Sequence, residues 1–316
     1  MFNAFLEEYQ RHNIFHSALL LTGMVSLLAV IGYLFAGVAG IVLAIVLGVF
    51  AFVFTPRLSP DFILRMYQAQ ILHPHAAPEL YTMLNSLVEK SGLKNTPILY
   101  YVPSQIMNSF TVGSKDQYRI LLSDALLRHL NARELYGVLA HELSHVQNND
   151  LQVMTLADVI TRITSILSLF GVSLLILYLP MFILEGQSFP WTIALLLLFT
   201  PNLSALLQLA LSRTREFFAD EKAVELTGDP AGLASALGKI EYLSEGWLKR
   251  FLLPQYRVNE PSVLRTHPPS KERIERLKKL AVRQQRIHPE DISLLPEYFK
   301  ARQTVKPKKG LHGFWY

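Results

Sequence analysis

Two long apolar stretches dominate the pattern of hydrophobic and polar positions along the chain. The first runs from Ser17 to Phe54 and contains no charged residue in 38 consecutive positions. An α-helix rises ~1.5 Å per residue, so about 20 apolar residues cross the ~30 Å hydrocarbon core of a bilayer. Because the stretch is about twice that length, it predicts a transmembrane helical hairpin over residues 17–54 that turns near Gly37 to Gly40.

The second apolar stretch consists of two runs, at about Ile163–Met181 and about Trp191–Leu211. A short polar link separates them, and Pro190 lies where an interfacial turn is expected. Two buried helices of a large soluble core are the alternative interpretation, but uncharged runs of about 20 residues are rarely needed there. The pattern therefore predicts a second transmembrane hairpin over residues 159–211, with Pro201 as a place where its second helix is kinked or interrupted.

The polar remainder comprises an N-terminal segment (1–16), two pieces at 56–158 and 212–300, and a flexible basic tail (301–316). Together the two pieces are long enough for one domain with its own core. Helix N-terminal signals occur at Pro78, Ser123, Asn131, Pro230 and Ser270. Strand-like runs are Pro97–Val102, Ser109–Val112 and Tyr118–Leu122, with a hairpin turn predicted at Gly113 to Asp116.

These patterns predict a mainly α integral membrane protein, with about four transmembrane helices in two hairpins and an α+β domain that contains a small β-sheet. The basic residues near the spans are Arg57, Arg65, Arg162, Arg213, Arg215 and Lys222, and both short links lack Lys and Arg. Since basic residues accumulate on the cytoplasmic side, the polar domain and both termini are expected in the cytoplasm. The leader before residue 17 contains Glu7 and Glu8, which is atypical of a cleaved signal peptide.

The amino-acid composition restricts which cross-links, metal ligands and partners the chain can have. The chain has no cysteine, so disulfides are excluded and any metal must be held by nitrogen and oxygen ligands. Its net charge of +5 is explained by basic residues beside anionic lipid head groups. The cluster from Lys306 to Lys309 lacks any recognition module, so a nucleic-acid partner is not expected. The bilayer is the expected partner.

The sequence His-Glu-Leu-Ser-His at 141–145 is the strongest indication of chemistry. Residues four apart lie on one face of a helix, so His141 and His145 can both reach one metal, with Glu142 at its edge where water would be activated. Asn131 and Glu134 form a capping box that begins this helix. Two ordinary surface histidines are the alternative, but the helical context favours a zinc site.

A catalytic zinc site needs a third protein ligand. Glu216 and Asp220, four apart in the second polar piece, offer two carboxylates on one helix face. One could bind zinc while the other accepts the N–H of a ligating histidine and fixes its tautomer. The alternative is a pair of solvated acids that form salt bridges with Arg213, Arg215 or Lys222.

In combination, these motifs resemble a known family. His-Glu-Leu-Ser-His, an apolar hairpin, Glu-Phe-Phe-Ala-Asp at 216–220, and Thr266-His-Pro-Pro269 followed by Arg273 occur in this order. The arrangement resembles the HtpX-like membrane zinc metallopeptidases, relatives of the CAAX prenyl endopeptidase, over residues 15–285. The resemblance implies a zincin-like cytoplasmic metallopeptidase domain and one Zn²⁺ per chain.

The resemblance also implies roles for individual residues. His141, His145 and Glu216 would be the zinc ligands, Glu142 the general base, and Asp220 the hydrogen-bond partner of a ligating histidine. Near the substrate carbonyl, His267 and Arg273 would stabilise the oxyanion. For these two residues alone, a surface histidine before prolines and a helix-surface cation are the alternatives.

Substrate binding is expected at a strand edge. Asn108-Ser109-Phe110 resembles the family's Asn-Ala-Phe, which leads into a substrate-facing strand, and Ser109 replaces the usual Ala. Asn108 and Phe110 are therefore candidate substrate-binding residues. An extended peptide is expected to add to an exposed edge such as Tyr118–Leu122 through main-chain hydrogen bonds.

Such weakly sequence-selective binding fits an endopeptidase that removes misfolded or damaged membrane proteins in the inner (plasma) membrane, as the resemblance implies. A prenyl-dependent CAAX-type endopeptidase is the nearest alternative, although four spans are few for a lipid-accommodating chamber. A zinc-stabilised scaffold that no longer cleaves would have no use for Glu142. An intramembrane protease is disfavoured because charged and polar residues such as Arg133 and Asp150 flank the motif. The oligomeric state stays open.

Overall fold

The structure is a computed structural model of the 316-residue chain, and it describes residues 2–54, 60–113, 117–184, 186, 188–251 and 271–287. It is mainly helical, with a small sheet, as the pattern predicts. Within the described residues the helices are Phe2–Phe54 (α1), Pro60–Met66 (α2), Pro78–Ser91 (α3), Asp124–His129 (α4), Ala132–Gln147 (α5), Asp150–Leu184 (α6), Trp191–Thr227 (α7), Pro230–Phe251 (α8) and Lys271–Ile287 (α9). The strands are Gln70–Ile71 (β1), Ile98–Val102 (β2), Ser109–Val112 (β3) and Arg119–Ser123 (β4).

Three helices in the described part of the chain are long and apolar enough to cross a membrane: Gln10–Val53 within α1, α6 and α7. Helix α1 is interrupted at Ala36 and Gly37, where Gly37 has a positive φ of 55° that favours glycine. Gly32 and Gly40 lie on either side of this break, and their backbones come so close that a methyl group on one would collide with the carbonyl of the other. The two halves of α1 therefore pack against each other through glycine.

Helix α7 continues through Pro201, the residue at which a kink or interruption was expected. A proline has no N–H to donate to the carbonyl four residues earlier, which here belongs to Leu197. The Ser168 hydroxyl of α6 donates to that carbonyl instead. In an apolar environment this replacement matters, because an unsatisfied backbone group is costly where no water can reach it.

The sheet has the strand order β1-β2-β4-β3. Strands β3 and β4 pair antiparallel with Ser109 opposite Leu122, as a hairpin requires. Residues 114–116 of the predicted turn lie outside the described residues. Strand β4 also pairs in parallel with β2, so it is an inner strand. The expectation that Tyr118–Leu122 offers an exposed edge is therefore wrong. Strand β3 lies at one end of the sheet instead.

The chain forms two compact units. The helical unit consists of Gln10–Arg57 and Asp150–Arg215, and the sheet unit contains Leu58–Asn149 and the chain from Glu216 onward. The first boundary lies where α6 begins at Asp150, directly after the left-handed Asn149 (φ 54°) that follows α5. The second lies within α7, between Arg215 and Glu216.

The core of the sheet unit surrounds α5. Leu135, Leu139 and Leu143 of this helix are almost fully buried, and they belong to one apolar cluster with residues of α3, α4, α8 and α9. Gly137 allows close packing, because a Cβ there would come within 3.2 Å of the Leu233 backbone of α8. Surrounded in this way, α5 is a rigid element on which a functional site can be built.

Within the helical unit, Arg215 and Asp150 form a buried ion pair, with Nε of Arg215 2.6 Å from Oδ1 of Asp150. Replacing Arg215 by Ala should lower the free energy of unfolding by about 3–5 kcal/mol, because it leaves a buried carboxylate without its guanidinium. The matched control is Arg162→Ala, which removes the exposed i,i+4 pair with Asp158 and should change little. The midpoint of thermal unfolding in detergent measures both, and equal midpoints would contradict the prediction.

Candidate metal centre and active site

Helix α5 carries both histidines of the sequence motif on one buried face. Its start is fixed by the capping box: the Asn131 side chain accepts from the Glu134 N–H, and the Glu134 carboxylate accepts from the Asn131 N–H. One turn apart on this helix, His141 and His145 are 4–5% exposed. Their Nε2 atoms are 3.1 Å apart. Both rings therefore converge on one point.

Glu216, near the C-terminal end of α7, lies against both rings. Its Oε2 is 3.4 Å from Nε2 of His141, and its Oε1 is 3.7 Å from Nε2 of His145. One ligand atom from each of His141, His145 and Glu216 lies within 4.8 Å of the others. Ligand atoms placed 2.0–2.2 Å from a tetrahedral zinc would be about 3.3–3.6 Å apart. The three side chains thus have the atom types and the spacing that fit zinc.

Asp220, one helical turn after Glu216, contacts the other side of the His141 ring. Its Oδ1 is 3.0 Å from Nδ1 of His141, which leaves Nε2 of His141 directed toward His145 and Glu216. Burial by itself would lower the pKa of His141, but the contacts with Asp220 and Glu216 outweigh burial and raise that pKa to about 9. A carboxylate in this position fixes the ring and makes its far nitrogen a better ligand.

Arg273 of α9 is 2% exposed and lies among these acids. Its Nε and Nη2 are each 2.7 Å from one oxygen of Asp220, and its Nη1 is 2.7 Å from Oε2 of Glu216. Burial opposes its charge, but Asp220 and Glu216 outweigh burial and raise the pKa of Arg273. The sequence offered Arg273 as an oxyanion-stabilising group. In the structure its guanidinium contacts the two acids of α7, and its Nη2 lies 3.5 Å from Nε2 of His141.

Glu142 is fully buried beside the two histidines and faces strand β3. Its Oε1 accepts a hydrogen bond from the Ser109 hydroxyl (2.6 Å), and its Oε2 accepts one from the Thr111 hydroxyl (2.9 Å). Sequence reasoning singled out Ser109 only as a small substitution and missed Thr111. The signal available was the i, i+2 spacing of two hydroxyl residues, which places both on one face of a strand.

Two further candidate residues, Asn108 and Phe110, lie at the start of β3. The backbone of Asn108 exchanges hydrogen bonds with Ser123, so the start of β3 is fixed beside the end of β4. Phe110 is 7% exposed and packs edge-on against Tyr67, at 5.1 Å between ring centroids. Because strand side chains alternate, Phe110 points away from the face that carries Ser109 and Thr111. His267 lies outside the described residues.

Comparison with known proteins finds relatives over the part of the chain that contains this site. The model of peptidase family M48 matches residues 74–281, which include His141, Glu142, His145, Glu216, Asp220 and Arg273. The protease HtpX homolog of Pyrococcus furiosus is 34% identical over 84% of this chain and 95% of its own length. The protease HtpX homolog of Acaryochloris marina is 36% identical over 72% of this chain and 80% of its own length.

Among solved structures, the crystal structure of S. mikatae Ste24p is similar with a TM-score of 0.47 and 22% identity, over 75% of this chain and 57% of that one. The family match covers more than half of the chain, and the HtpX homologs match it over most of their length. The resemblance found in the sequence motifs is therefore confirmed. This chain belongs to peptidase family M48 and is a membrane metalloprotease, a hydrolase of peptide bonds.

Proposed function

We propose that this metalloprotease is a zinc endopeptidase that cleaves misfolded or damaged membrane proteins on the cytoplasmic side of the inner membrane. His141, His145 and Glu216 would hold one zinc ion per chain. The observation that carries this proposal is the convergence of two imidazoles and one carboxylate, with ligand atoms within 4.8 Å of one another. No cysteine competes for the metal.

The residues around the metal ligands suit peptide hydrolysis. When bound, zinc supplies Lewis-acid chemistry that makes water more acidic and a carbonyl more electrophilic. Glu142 accepts a proton from the attacking water and later delivers it to the leaving amine. Asp220 holds the ring of His141, since it lies 3.0 Å from Nδ1. These functions need side chains that are held in fixed positions, and Glu142, Asp220 and His141 are all buried.

The oxyanion formed at the substrate carbonyl needs a positive or hydrogen-bonding group. We assign this function to Arg273 and His267. Arg273 supports the assignment because its guanidinium lies at 2.7 Å from Glu216, adjacent to the ligand atoms. For His267 the assignment depends on the family motif alone.

The substrate would bind in extended form along β3, the strand at the end of the sheet. Ser109 and Thr111 of this strand contact Glu142, so a peptide added beside β3 would lie near the proposed base. Main-chain hydrogen bonds along a strand edge do not distinguish side chains strongly. This mode of binding suits an enzyme that must accept many damaged membrane proteins.

The topology that we propose is four spans in two hairpins, with the sheet unit and both termini in the cytoplasm. Support for the first hairpin comes from the break in α1 at Ala36 and Gly37 and from the contact between Gly32 and Gly40. Helices α6 and α7 would form the second. The orientation follows from basic residues such as Arg57 and Arg213, which lie at the proposed cytoplasmic ends of the spans.

The proposed function makes three predictions, and the first concerns the base. Glu142→Gln keeps the size of the side chain but cannot accept the water proton, so we expect peptide cleavage to fall by at least ~100-fold while zinc stays bound. Cleavage of casein and metal analysis of detergent-purified protein measure the two quantities. The control is Glu225→Gln, an exposed residue of α7 paired with Lys222. Full activity of Glu142→Gln would rule out Glu142 as the base.

The second prediction concerns the metal. Glu216→Gln and removal of metal with a chelator should each reduce zinc to well below one ion per chain and abolish cleavage, because two imidazoles alone do not complete a catalytic site. Added Zn²⁺ should restore the chelated wild-type protein. Retention of zinc at one per chain by Glu216→Gln would exclude Glu216 as a ligand.

The third prediction concerns topology, and the absence of native cysteine makes it directly testable. Single cysteines at Val38 and Ser188 lie in the two proposed outer links, and a single cysteine at Lys94 lies in the sheet unit. In right-side-out membrane vesicles, a membrane-impermeant maleimide should label Val38→Cys and Ser188→Cys. Lys94→Cys should react only after permeabilisation. The opposite pattern would reverse the orientation.

A further inference from the structure

Strand β3 holds the carboxylate of Glu142 at both of its oxygen atoms. The Ser109 hydroxyl lies 2.6 Å from Oε1 and the Thr111 hydroxyl lies 2.9 Å from Oε2. Ser109, Thr111 and Glu142 are all buried, with 9%, 6% and 0% exposure. The two hydroxyls come from alternate residues of one strand, so they point to the same face. We call this arrangement the hydroxyl clamp.

The strand that carries the clamp is itself fixed. Four residue pairs join β3 to β4, from Ser109 opposite Leu122 to Val112 opposite Arg119. On the other face of β3, Phe110 and Val112 are buried in an apolar cluster with Leu121. Because the backbone of β3 cannot shift easily, the positions of the two hydroxyls are determined, and they determine the orientation of the carboxylate in turn.

The clamp contacts the base at both of its oxygen atoms. A carboxylate has about four lone-pair sites, and the two hydroxyls occupy one on each oxygen. A carboxylate held at only one oxygen can still rotate about its terminal torsion, which is broad for glutamate. Contacts at both oxygens remove that freedom, so the remaining lone pairs keep a constant direction relative to His141 and His145.

We propose that Ser109 and Thr111 are positioning residues that orient Glu142 for proton transfer, and that they do so from the strand along which the peptide binds. This inference rests on the proposed function, in which Glu142 is the base and β3 receives the substrate. A peptide that pairs with β3 then meets a base already aligned with the same strand.

If the hydroxyls of Ser109 and Thr111 had only a structural role, a different result would be expected. If the hydroxyls only satisfied a buried carboxylate, their loss would lower stability and would leave the rate of the folded enzyme unchanged. If they orient the base, their loss lowers kcat with little change in KM, because a misaligned Glu142 raises the barrier to proton transfer without weakening the binding of the peptide. The two functions are therefore separable by measuring kcat, KM and thermal stability for the same variants.

The decisive variant is Thr111→Val, which removes the hydroxyl and keeps the shape of the side chain. We expect its kcat on an unlipidated fluorogenic peptide to fall ~10- to 100-fold, the range found when outer partners of catalytic groups are lost. KM should stay within about twofold. Thr111→Ser retains the hydroxyl and should recover most of the kcat. Ser109→Ala should act in the same direction, and the double variant should be slower than either single one.

The controls distinguish a failure of the hydroxyl clamp from a failure of the proposed function. Thr82→Val removes an exposed hydroxyl that bonds only within its own helix, to the Pro78 carbonyl, and should leave kcat unchanged. Zinc content should remain at one per chain in every clamp variant. If Thr111→Val does not fold, Ser109→Ala, which removes a single oxygen atom, provides the same test.

An unchanged or increased kcat in Thr111→Val and Ser109→Ala, with Glu142→Gln inactive, would overturn the clamp and leave the proposed function intact. An equal loss in Thr111→Ser and Thr111→Val would also overturn it, since the hydroxyl would then not be the cause. Activity in Glu142→Gln, or absence of bound zinc in the wild-type protein, would instead reject the proposed function.

Discussion

The structure depends on a group of charged side chains that are buried together and pair with one another. Asp220 and Glu216 of α7, His141 of α5 and Arg273 of α9 are each at most 5% exposed. A buried charge without a partner is strongly destabilising, whereas charges that are paired and hydrogen-bonded can be accommodated. The site can therefore form only when α5, the end of α7 and α9 meet. Folding of the sheet unit and assembly of the site are the same event.

Local sequence patterns predicted much of this site. Helix spacing placed His141 beside His145 and Glu216 beside Asp220, and the capping box at Asn131 fixed where α5 begins. The strand order was not predictable, because the parallel pairing of β2 with β4 joins strands that are not consecutive in the chain. For that reason the exposed edge was assigned to Tyr118–Leu122 instead of β3. The contacts of Arg273 likewise depend on how α9 packs, which no local pattern specifies.

Helix α7 carries an apolar run and, further along the same continuous helix, the charged residues Arg215 and Glu216. Successive residues of a helix differ by about 100° in direction, so neighbouring side chains can serve different surroundings. Arg215 pairs with Asp150 in the helical unit, and the next residue, Glu216, faces His141 and His145 in the sheet unit. In the same helix, Pro201 leaves the Leu197 carbonyl without its helical donor, and this carbonyl accepts a hydrogen bond from Ser168 of α6. Long apolar helices here carry specific polar contacts as well as hydrophobic surface.

The charge of the site itself favours a divalent cation. Three carboxylates act on Arg273, those of Asp220, Glu216 and Glu142, and with neutral histidines the group carries −3 + 1 = −2. A surplus of two negative charges is costly in a buried place, and protonation of His141, whose pKa is raised to about 9, offsets only part of it. A cation of charge +2 held by His141, His145 and Glu216 would bring the sum to zero. The residues that suit zinc by ligand type therefore also suit it by charge.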